Sequence, residues 1–292
     1  MTNATGSAMP AVFLKDRALL FVSGAEAQSF LQNLITTDII SLGPDEARPG
    51  ALLTPQGKIL FDFMIWQDGD GYTIETDAGQ RDGLLKRLTM YKLRAAATLA
   101  LGAEEGVTVC WGEGAEAVRD SQGVRDSRFA KAGVTLIRRP GKRGDGEEAL
   151  YDALRIRLGI VTSGSDFALQ DAFPHDVLMD LNGGLSFRKG CYVGQEVVSR
   201  MQHRGTARRR VVTVSAAAAL PGTGTEITAG GKPVGTLGSV EGDHGLAIVR
   251  IDRAGAAIAA GTPLLAGETP VSLVLPAWSG LVFPTSADEA SA

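Results

Sequence analysis

The chain has 292 residues, enough for one large domain or two to three small ones. Its 44% apolar and 21% charged residues are typical of a soluble globular protein, and no apolar run reaches the roughly 18 residues of a membrane span. The net charge of −4 argues against nucleic-acid binding, and two cysteines are too few for a disulfide framework. The first ten residues lack the basic and apolar regions of a signal peptide. We therefore expect a cytoplasmic protein with neither membrane nor nucleic-acid partners.

The first 105 residues predict an α+β unit. Residues 11–22 read as short strands, and Ser23 to Glu26 has the spacing of a capping box that opens a helix. A turn at 55–58 predicts a hairpin, and Asp77 predicts the cap of a helix that runs to about Tyr91. Because short turns separate the strands, we expect them to pair antiparallel.

Asp62 lies in the second hairpin strand, with apolar residues on both sides. A buried carboxylate without a partner is costly, so Asp62 should face a cavity or have a partner. The alternative is an edge position with a salt bridge.

Residues 106–206 predict a second, similar unit. Cys110 alternates with apolar neighbours in a strand, which indicates a core position. Short helices are predicted at 115–118 and 149–158, the second ended by Gly159. Residues 138–148, rich in glycine and charge, predict an exposed loop.

The segment from Ser186 to Glu196 carries the strongest chemical signal. Gly190 and Gly194 allow tight turns, and Cys191 lies between them, close to Lys189. We expect a loop that becomes a helix near Gly194, with the cysteine at or just before the helix N-terminus, where a thiolate is favoured. The residues leave two interpretations open: a reactive or metal-ligating sulfur, or a buried cysteine that packs as a small hydrophobe.

Arginines follow this segment, among them Arg200 and Arg204, which share a helix face up to a predicted end at Gly205. Such a run is often a solvated face, and its functional interpretation is an anion site. From residue 207 to 284, six short β-type runs between glycine turns predict an all-β barrel or sandwich. Residues 285–292 are small and polar and predict a disordered tail.

The run Lys189-Gly190-Cys191-Tyr192-Val193-Gly194-Gln195-Glu196 resembles the K-G-C-Y-x-G-Q-E signature of the YgfZ family of folate-binding proteins. These proteins are relatives of the T-protein, the aminomethyltransferase of the glycine cleavage system. The segment 32–38 is also similar to a helix end of the folate-binding family. The cysteine distinguishes the YgfZ family from the T-proteins.

The resemblance implies an α+β fold of two intertwined ferredoxin-like units, about 1–105 and 106–206, that form a folate-binding ring followed by the barrel. It implies tetrahydrofolate, with or without a polyglutamate tail, and a transient iron–sulfur cluster as ligands. Partners would be iron–sulfur assembly proteins and client [4Fe–4S] enzymes. Cys191 would act as the reactive thiolate and metal ligand, with Lys189 tuning its charge. The candidate folate-binding residues are Asp62, Asp176, Tyr192, Gln195, Glu196, Arg200 and Arg204.

Two alternatives to this function remain. A folate-dependent aminomethyl transferase is one, but the T-proteins carry an aspartate pair where this chain has Phe61 and Asp62, which argues against it. A non-catalytic interaction protein stabilised by folate is the other, with Cys191 structural. Whether the chain is an enzyme stays open. Asp176 is assigned by the resemblance, since acidic residues of this region hold the pterin in T-proteins; by itself it reads as a solvated loop residue.

Overall fold

A computed structural model of the chain describes residues 9–119 and 123–284. Within these ranges the molecule consists of a large sheet with its helices, followed along the chain by a closed barrel. The predicted disordered tail, residues 285–292, lies outside the described residues.

Nine strands form the large sheet, and its order mixes strands from the two predicted units. They are β1 (Ala11–Leu14), β2 (Arg17–Ser23), β3 (Glu46–Leu53), β4 (Ile59–Asp68), β5 (Gly71–Asp77), β6 (Thr98–Leu101), β7 (Val107–Trp111), β8 (Val124–Asp126) and β9 (Leu136–Pro140). From edge to edge the order is β1-β7-β9-β8-β3-β4-β5-β2-β6. The predicted hairpin is confirmed, because β3 and β4 pair antiparallel across the turn at 55–58.

Two pairings join the halves of this sheet. Strand β1 crosses into the second unit, where Ala11 lies opposite Cys110 of β7. Strand β3 pairs with β8, with Glu46 opposite Arg125, and this pair is parallel. The expected antiparallel pairing is confirmed for β3–β4 and β4–β5, which short turns connect, but β1 and β2 do not pair with each other. No short turn connects β3 and β8, so their parallel pairing lies outside that expectation.

The helices lie between the strands and on the sheet. They are α1 (Ala27–Gln32), α2 (Ala78–Lys92), α3 (Ser127–Lys131), α4 (Glu148–Leu158), α5 (Gln195–His203) and α6 (Ile251–Ala259), with 3-10 turns at Ala115–Val118 and Ala277–Ser279. The predicted cap of α2 is confirmed, since the Asp77 carboxylate accepts the Gly79 N–H at 2.8 Å. The predicted end of α4 is also confirmed, because Gly159 adopts a left-handed φ of 72°.

The capping box predicted at the start of α1 is wrong. Ser23 is the last residue of β2, and α1 begins only at Ala27. The Glu26 carboxylate accepts a hydrogen bond from the backbone N–H of Ala96 instead of capping its own helix. A contact between residues 70 positions apart has thus replaced the local one that the sequence suggested.

Apolar side chains bury the inner faces of these elements. Leu84 and Leu88 of α2 pack with Leu31 and Ile35 in one core cluster. Burying such a side chain fully stabilises the fold by about 1.5–3 kcal/mol before entropic costs. Cys110 is 2% exposed in β7, which confirms the prediction that it belongs to the core.

Six strands form the closed barrel predicted for the C-terminal part. They are β10 (Arg209–Ala216), β11 (Glu226–Ala229), β12 (Lys232–Glu241), β13 (His244–Arg250), β14 (Leu264–Ala266) and β15 (Thr269–Val274). The expectation of an all-β unit is wrong, because α6 lies between β13 and β14. Its Ala254 and Ala257 are buried with the apolar residues of the barrel.

The exposed loop predicted for 138–148 is wrong at its start. Residues up to Pro140 belong to β9, and the Arg138 side chain is 2% exposed. Among the described residues, no helix has both the length and the apolarity that crossing a membrane requires.

Candidate functional site

A cavity of about 260 Å³ lies between the large sheet and α4. Strand β4 contributes Asp62, helix α4 contributes Tyr151 and Arg155, and the loop after α4 contributes Ser163. Trp278, from beyond the barrel, also reaches this cavity. The cavity is therefore built from both parts of the molecule.

Asp62 lines this cavity, in agreement with the prediction that it would face a cavity or have a partner. Its Oδ1 accepts hydrogen bonds from Ser163 Oγ at 2.5 Å and from Gln80 Nε2 at 3.2 Å. Gln80 also bonds Ser163 Oγ at 2.8 Å, so the three side chains form a closed triangle. Within the described residues Oδ2 has no hydrogen-bond partner, which leaves it to accept a bond from a ligand.

Three arginines, Arg17, Arg128 and Arg138, form another wall of the cavity. Arg138 is buried and donates to Glu75 at 2.7 Å and to Asp126 at 2.9 Å. Arg17 adds a bond to Glu75 at 2.8 Å, and Arg128 adds one to Asp126 at 2.8 Å. Three positive charges thus meet two negative ones, and the wall carries a net positive charge.

The two carboxylates of this wall stay ionised despite their burial. Burial alone raises the pKa of Glu75, but Arg138 and Arg17 outweigh it and hold the pKa below its ordinary value. Burial likewise raises the pKa of Asp126, and Arg128 and Arg138 reverse the shift. Among the described residues, Nη1 of Arg17 and Nη1 of Arg128 have no hydrogen-bond partner, so both remain free to donate to an anion.

An acidic cluster completes the lining. Glu148, Asp152 and Asp16 border the cavity. Burial, Asp152 and Asp16 together raise the pKa of the Glu148 carboxyl above its ordinary value. The cavity therefore offers separate anionic and cationic walls to a ligand that has groups of both kinds.

Cys191 lies outside this cavity, on the surface. It is exposed and carries a free thiol, which excludes the interpretation as a buried core cysteine. The predicted change from loop to helix at Gly194 is confirmed, since α5 begins at Gln195. Three residues separate Cys191 from that helix, so the thiol sits in the loop rather than at the helix N-terminus.

Lys189 fixes the loop that carries Cys191. Its ammonium donates to the carbonyl oxygens of Ile35 at 2.6 Å and Thr37 at 2.8 Å. Burial lowers the pKa of Lys189 to about 8, and Asp38 opposes the shift. The Lys189 ammonium, which was predicted to tune the Cys191 thiol, thus binds the backbone of the segment that follows α1.

Tyr192 and Gln195 tie the loop to the start of α5. Tyr192 is buried, its hydroxyl donates to the carbonyl oxygen of Ser186 at 3.3 Å, and burial raises its pKa. The Gln195 side-chain oxygen accepts the Tyr192 N–H at 3.3 Å. Gly194 has a φ of 80°, and a Cβ there would lie 2.5 Å from the Thr54 carbonyl oxygen, so only glycine fits this junction.

Asp176 is buried away from Asp62 and does not line the cavity. Its Oδ2 accepts the Phe173 N–H at 3.0 Å and lies 3.7 Å from Nε of Arg209. Burial raises the pKa of the Asp176 carboxyl, although the Phe173 bond and Arg209 oppose the shift. Asp176 is therefore buried beside Arg209 of the first barrel strand, whereas its sequence by itself suggested a solvated loop residue.

Glu196, Arg200 and Arg204 are exposed on the outer face of α5. Arg200 lies 3.6 Å from Glu196, as the i,i+4 spacing favours. None of the three lines the central cavity. Of the nine predicted site residues, only Asp62 lines it, while the others form the signature loop and α5 or, like Asp176, lie buried elsewhere.

Sequence reasoning missed most of the cavity wall, including Arg17, Arg128, Arg138 and Ser163, and it missed Gln80, which bonds Asp62 from outside the lining. Gln80 lies three residues after the helix cap Asp77, a spacing typical of a capping partner rather than of a binding-site residue. The structure uses it for Asp62 instead. Within the described ranges no three side chains of His, Cys, Asp or Glu converge as a metal site.

Comparison with known proteins identifies relatives of both parts of the chain. Residues 208–281 match the family model described as the CAF17 C-terminal beta-barrel domain. The chain is 30% identical to the iron–sulfur cluster assembly factor IBA57 homolog, mitochondrial, of Aspergillus fumigatus, over 82% of this chain and 69% of that protein. It is 33% identical to the protein of the same name from Pyricularia oryzae, over 68% of this chain. The match spans about half, 55%, of the Pyricularia protein.

A solved structure supports the fold. The glycine cleavage system aminomethyltransferase T from Bartonella henselae superposes with a TM-score of 0.67, over 91% of this chain and 85% of that one, at 17% identity. The predicted T-protein-like fold, with a mixed α/β part and a C-terminal barrel, is confirmed. At this level of identity the likeness extends to the fold alone.

The expected cytoplasmic location is wrong. The relatives are named as mitochondrial proteins, which points to the mitochondrion instead. The expectation rested on cysteine number and on the first ten residues, and neither feature separates two reducing compartments.

Proposed function

The chain belongs to the IBA57 family of iron–sulfur cluster assembly factors, and from this premise we propose that it acts in the assembly or repair of iron–sulfur proteins. The observation that carries the proposal is the exposed thiol of Cys191 on a loop with buried anchors. A side chain that only packed would not be presented in this way. The K-G-C-Y run supports a relation to the YgfZ-like members of this group as part of the proposal.

The loop is arranged to present its sulfur to another molecule. Lys189 holds one side through two backbone carbonyls, and Tyr192 is buried on the other. Cys191 projects between these anchors. We assign Lys189 a positioning role, and Cys191 the role of a ligand to a cluster that is the cargo, or of a group that meets a partner's thiol.

Tetrahydrofolate fits the central cavity by the chemistry of its walls. Asp62 Oδ2 suits the N–H groups of an aminopyrimidine ring, and the free Nη1 groups of Arg17 and Arg128 suit carboxylates. Bound there, the folate would supply a one-carbon carrier. Ser163 and Gln80 hold Asp62 in place, and the buried ion pairs keep the arginines fixed before any ligand arrives.

The first test is complementation of a strain that lacks this protein. An endogenous [4Fe–4S] enzyme is assayed under oxidative stress after expression of wild type, Cys191→Ala or the buried-cysteine control Cys110→Ala. We expect wild type and Cys110→Ala to restore activity and Cys191→Ala to fail. Restoration by all three would overturn the role of Cys191. Failure of all three, with soluble protein present, would favour a one-carbon transferase.

The second test concerns the cavity. Calorimetric titration with tetrahydrofolate compares wild type with Asp62→Asn and with Asp176→Asn, whose residue does not line the cavity. Loss of one charge-assisted bond predicts about tenfold weaker binding for Asp62→Asn. Asp176→Asn should bind as wild type does. Equal loss in both variants, or no binding to wild type, would contradict the folate assignment.

A further inference from the structure

The outer face of α5 has no role in the cavity. Arg200 and Arg204 were candidates for a folate tail, but both side chains are exposed, and neither lines the space around Asp62. They border a separate shallow groove of about 310 Å³ on the helix surface. The groove is lined by Gln195, Glu196, Ser199, Arg200, His203 and Arg204.

This face carries a net positive charge, because Arg200 and Arg204 line the groove with one glutamate, Glu196. Arg188, before Cys191, and Arg208, after α5, flank these residues in sequence and are also exposed, in a chain whose net charge is −4. Among the described residues only Arg200 of the four has an ion-pair partner, and that partner is Glu196 at 3.6 Å.

The inner face of α5 is fixed to the body of the protein. Val198 is buried with the apolar residues beneath the helix. Gln202 lies 3.2 Å from Nε2 of the buried His175, and a Cβ on Gly57 would lie 3.0 Å from the Val197 side chain. Arg200 therefore projects from a helix that is fixed to the body of the protein, and Arg204 follows directly at its C-terminal cap.

We propose that the outer face of α5 is a docking surface for the acidic surface of a protein partner. Charge complementarity steers such encounters and excludes partners of like charge. The face begins at Gln195, four residues after Cys191, so a partner seated on it lies close to the exposed thiol. The inference rests on the proposed function, because it names the kind of partner that meets this cysteine.

A nucleic acid is the less suitable occupant. Surfaces that bind single strands combine positive charge with aromatic rings on which bases stack. Helix α5 contains no aromatic residue, and the nearby Tyr192 is buried. Binding of an acidic protein surface requires the positive charge of this face but no aromatic rings.

Binding is tested with a short fluorescent peptide rich in aspartate and glutamate. The variant Arg200→Glu/Arg204→Glu is compared with Lys86→Glu/Arg94→Glu, which changes the net charge equally at exposed positions in and after α2. We expect the α5 variant to bind about tenfold more weakly, the control to bind nearly as wild type does, and wild-type affinity to fall as salt rises. Equal loss in both variants would reduce the effect to net charge and overturn the proposal. Stronger binding of a single-stranded oligonucleotide of equal charge would do so in favour of nucleic acid.

Complementation separates this inference from the proposed function. If wild type restores the [4Fe–4S] enzyme and the α5 variant does not, while the variant still binds tetrahydrofolate and is folded by circular dichroism, the docking surface is supported. If wild type and the α5 variant restore it equally, the docking surface is wrong and the function stands. If wild type itself fails, the function is wrong, whereas the peptide measurement still reports on the surface.

Discussion

The cavity wall and the outer face of α5 are both built from arginines, yet their surroundings are opposite. Arg138 is 2% exposed and has two buried carboxylates as partners, whereas the Arg200 side chain is 57% exposed and lies near one solvated glutamate. Removing one member of a buried network leaves an unpaired charge in a poorly solvated place, but an exposed arginine is surrounded by water. The first group fixes the shape of a site before a ligand arrives. The second is available to whatever approaches.

The largest effect expected from this difference is in the buried network. Arg138→Met would leave Glu75 and Asp126 with only Arg17 and Arg128 as partners, and we expect a loss of about 3 kcal/mol in the free energy of unfolding. Urea denaturation followed by circular dichroism measures it. The matched Arg200→Met variant should unfold as wild type does. Similar midpoints for both variants would remove the contrast between the two regions.

Lys189 lies between these extremes, since it is buried but bonded only to backbone carbonyls. Lys189→Met would leave the carbonyls of Ile35 and Thr37 without this donor, at a cost of about 1–3 kcal/mol in the free energy of unfolding. The loop around Cys191 should also exchange its amide hydrogens faster. Unchanged exchange in that loop, measured by mass spectrometry, would show that Tyr192 and Gln195 suffice to hold it.

Asp176 gives a pH-dependent test of burial without a strong ion pair. Because its pKa in the folded state is raised above the ordinary 3.8, the folded protein binds the proton more tightly than the unfolded chain does. This contribution to stability is present at low pH and is lost as pH rises from 3.8 through the raised value. Asp176→Asn should remove that slope from the free energy of unfolding. Chemical denaturation of both proteins from acid to neutral pH measures this slope. The same slope in wild type and variant would contradict the prediction.

The smallest effect is expected at the surface pair of Glu196 and Arg200. Pairs of this kind contribute about 0.3–0.5 kcal/mol and are screened by salt. Glu196→Gln should therefore change the urea midpoint only slightly, and not at all in high salt. A large change would mean that α5 depends on its outer face for stability, and would weaken the assignment of that face to a partner.

Local signals in the sequence predicted several elements correctly. Asp77 and Gly159 mark helix ends by backbone chemistry that acts within a few residues, and Gly194 marks the junction before α5. The hairpin at 55–58 and the barrel strands follow from equally local patterns. Cys110 was correctly predicted to lie in the core, because the alternation of side chains along a strand is a local property that the sequence already shows.

The cavity could not be predicted in the same way. Asp62 meets Ser163 across 101 positions of sequence, and Arg138 meets Glu75 across 63. Arg138 stands beside glycines and charges, so its own surroundings suggested a loop. Helix α6 was missed because Ala-rich Ile251–Ala259 lies among strand-like runs and has Gly255 in its middle. In each case the decisive contacts came from residues that only the fold brings together.

The crossing of β1 into the second unit also constrains the order in which the chain folds during synthesis. Ala11 cannot pair with Cys110 until Cys110 has been synthesised, about 5–20 s later at roughly 5–20 residues per second. Until then β1 has no strand to pair with, while β2, β4 and β5 already have theirs. The start of the chain is thus among the last parts of the large sheet to be secured, and a ribosome-bound chain that stops before β7 exposes an apolar strand to chaperones.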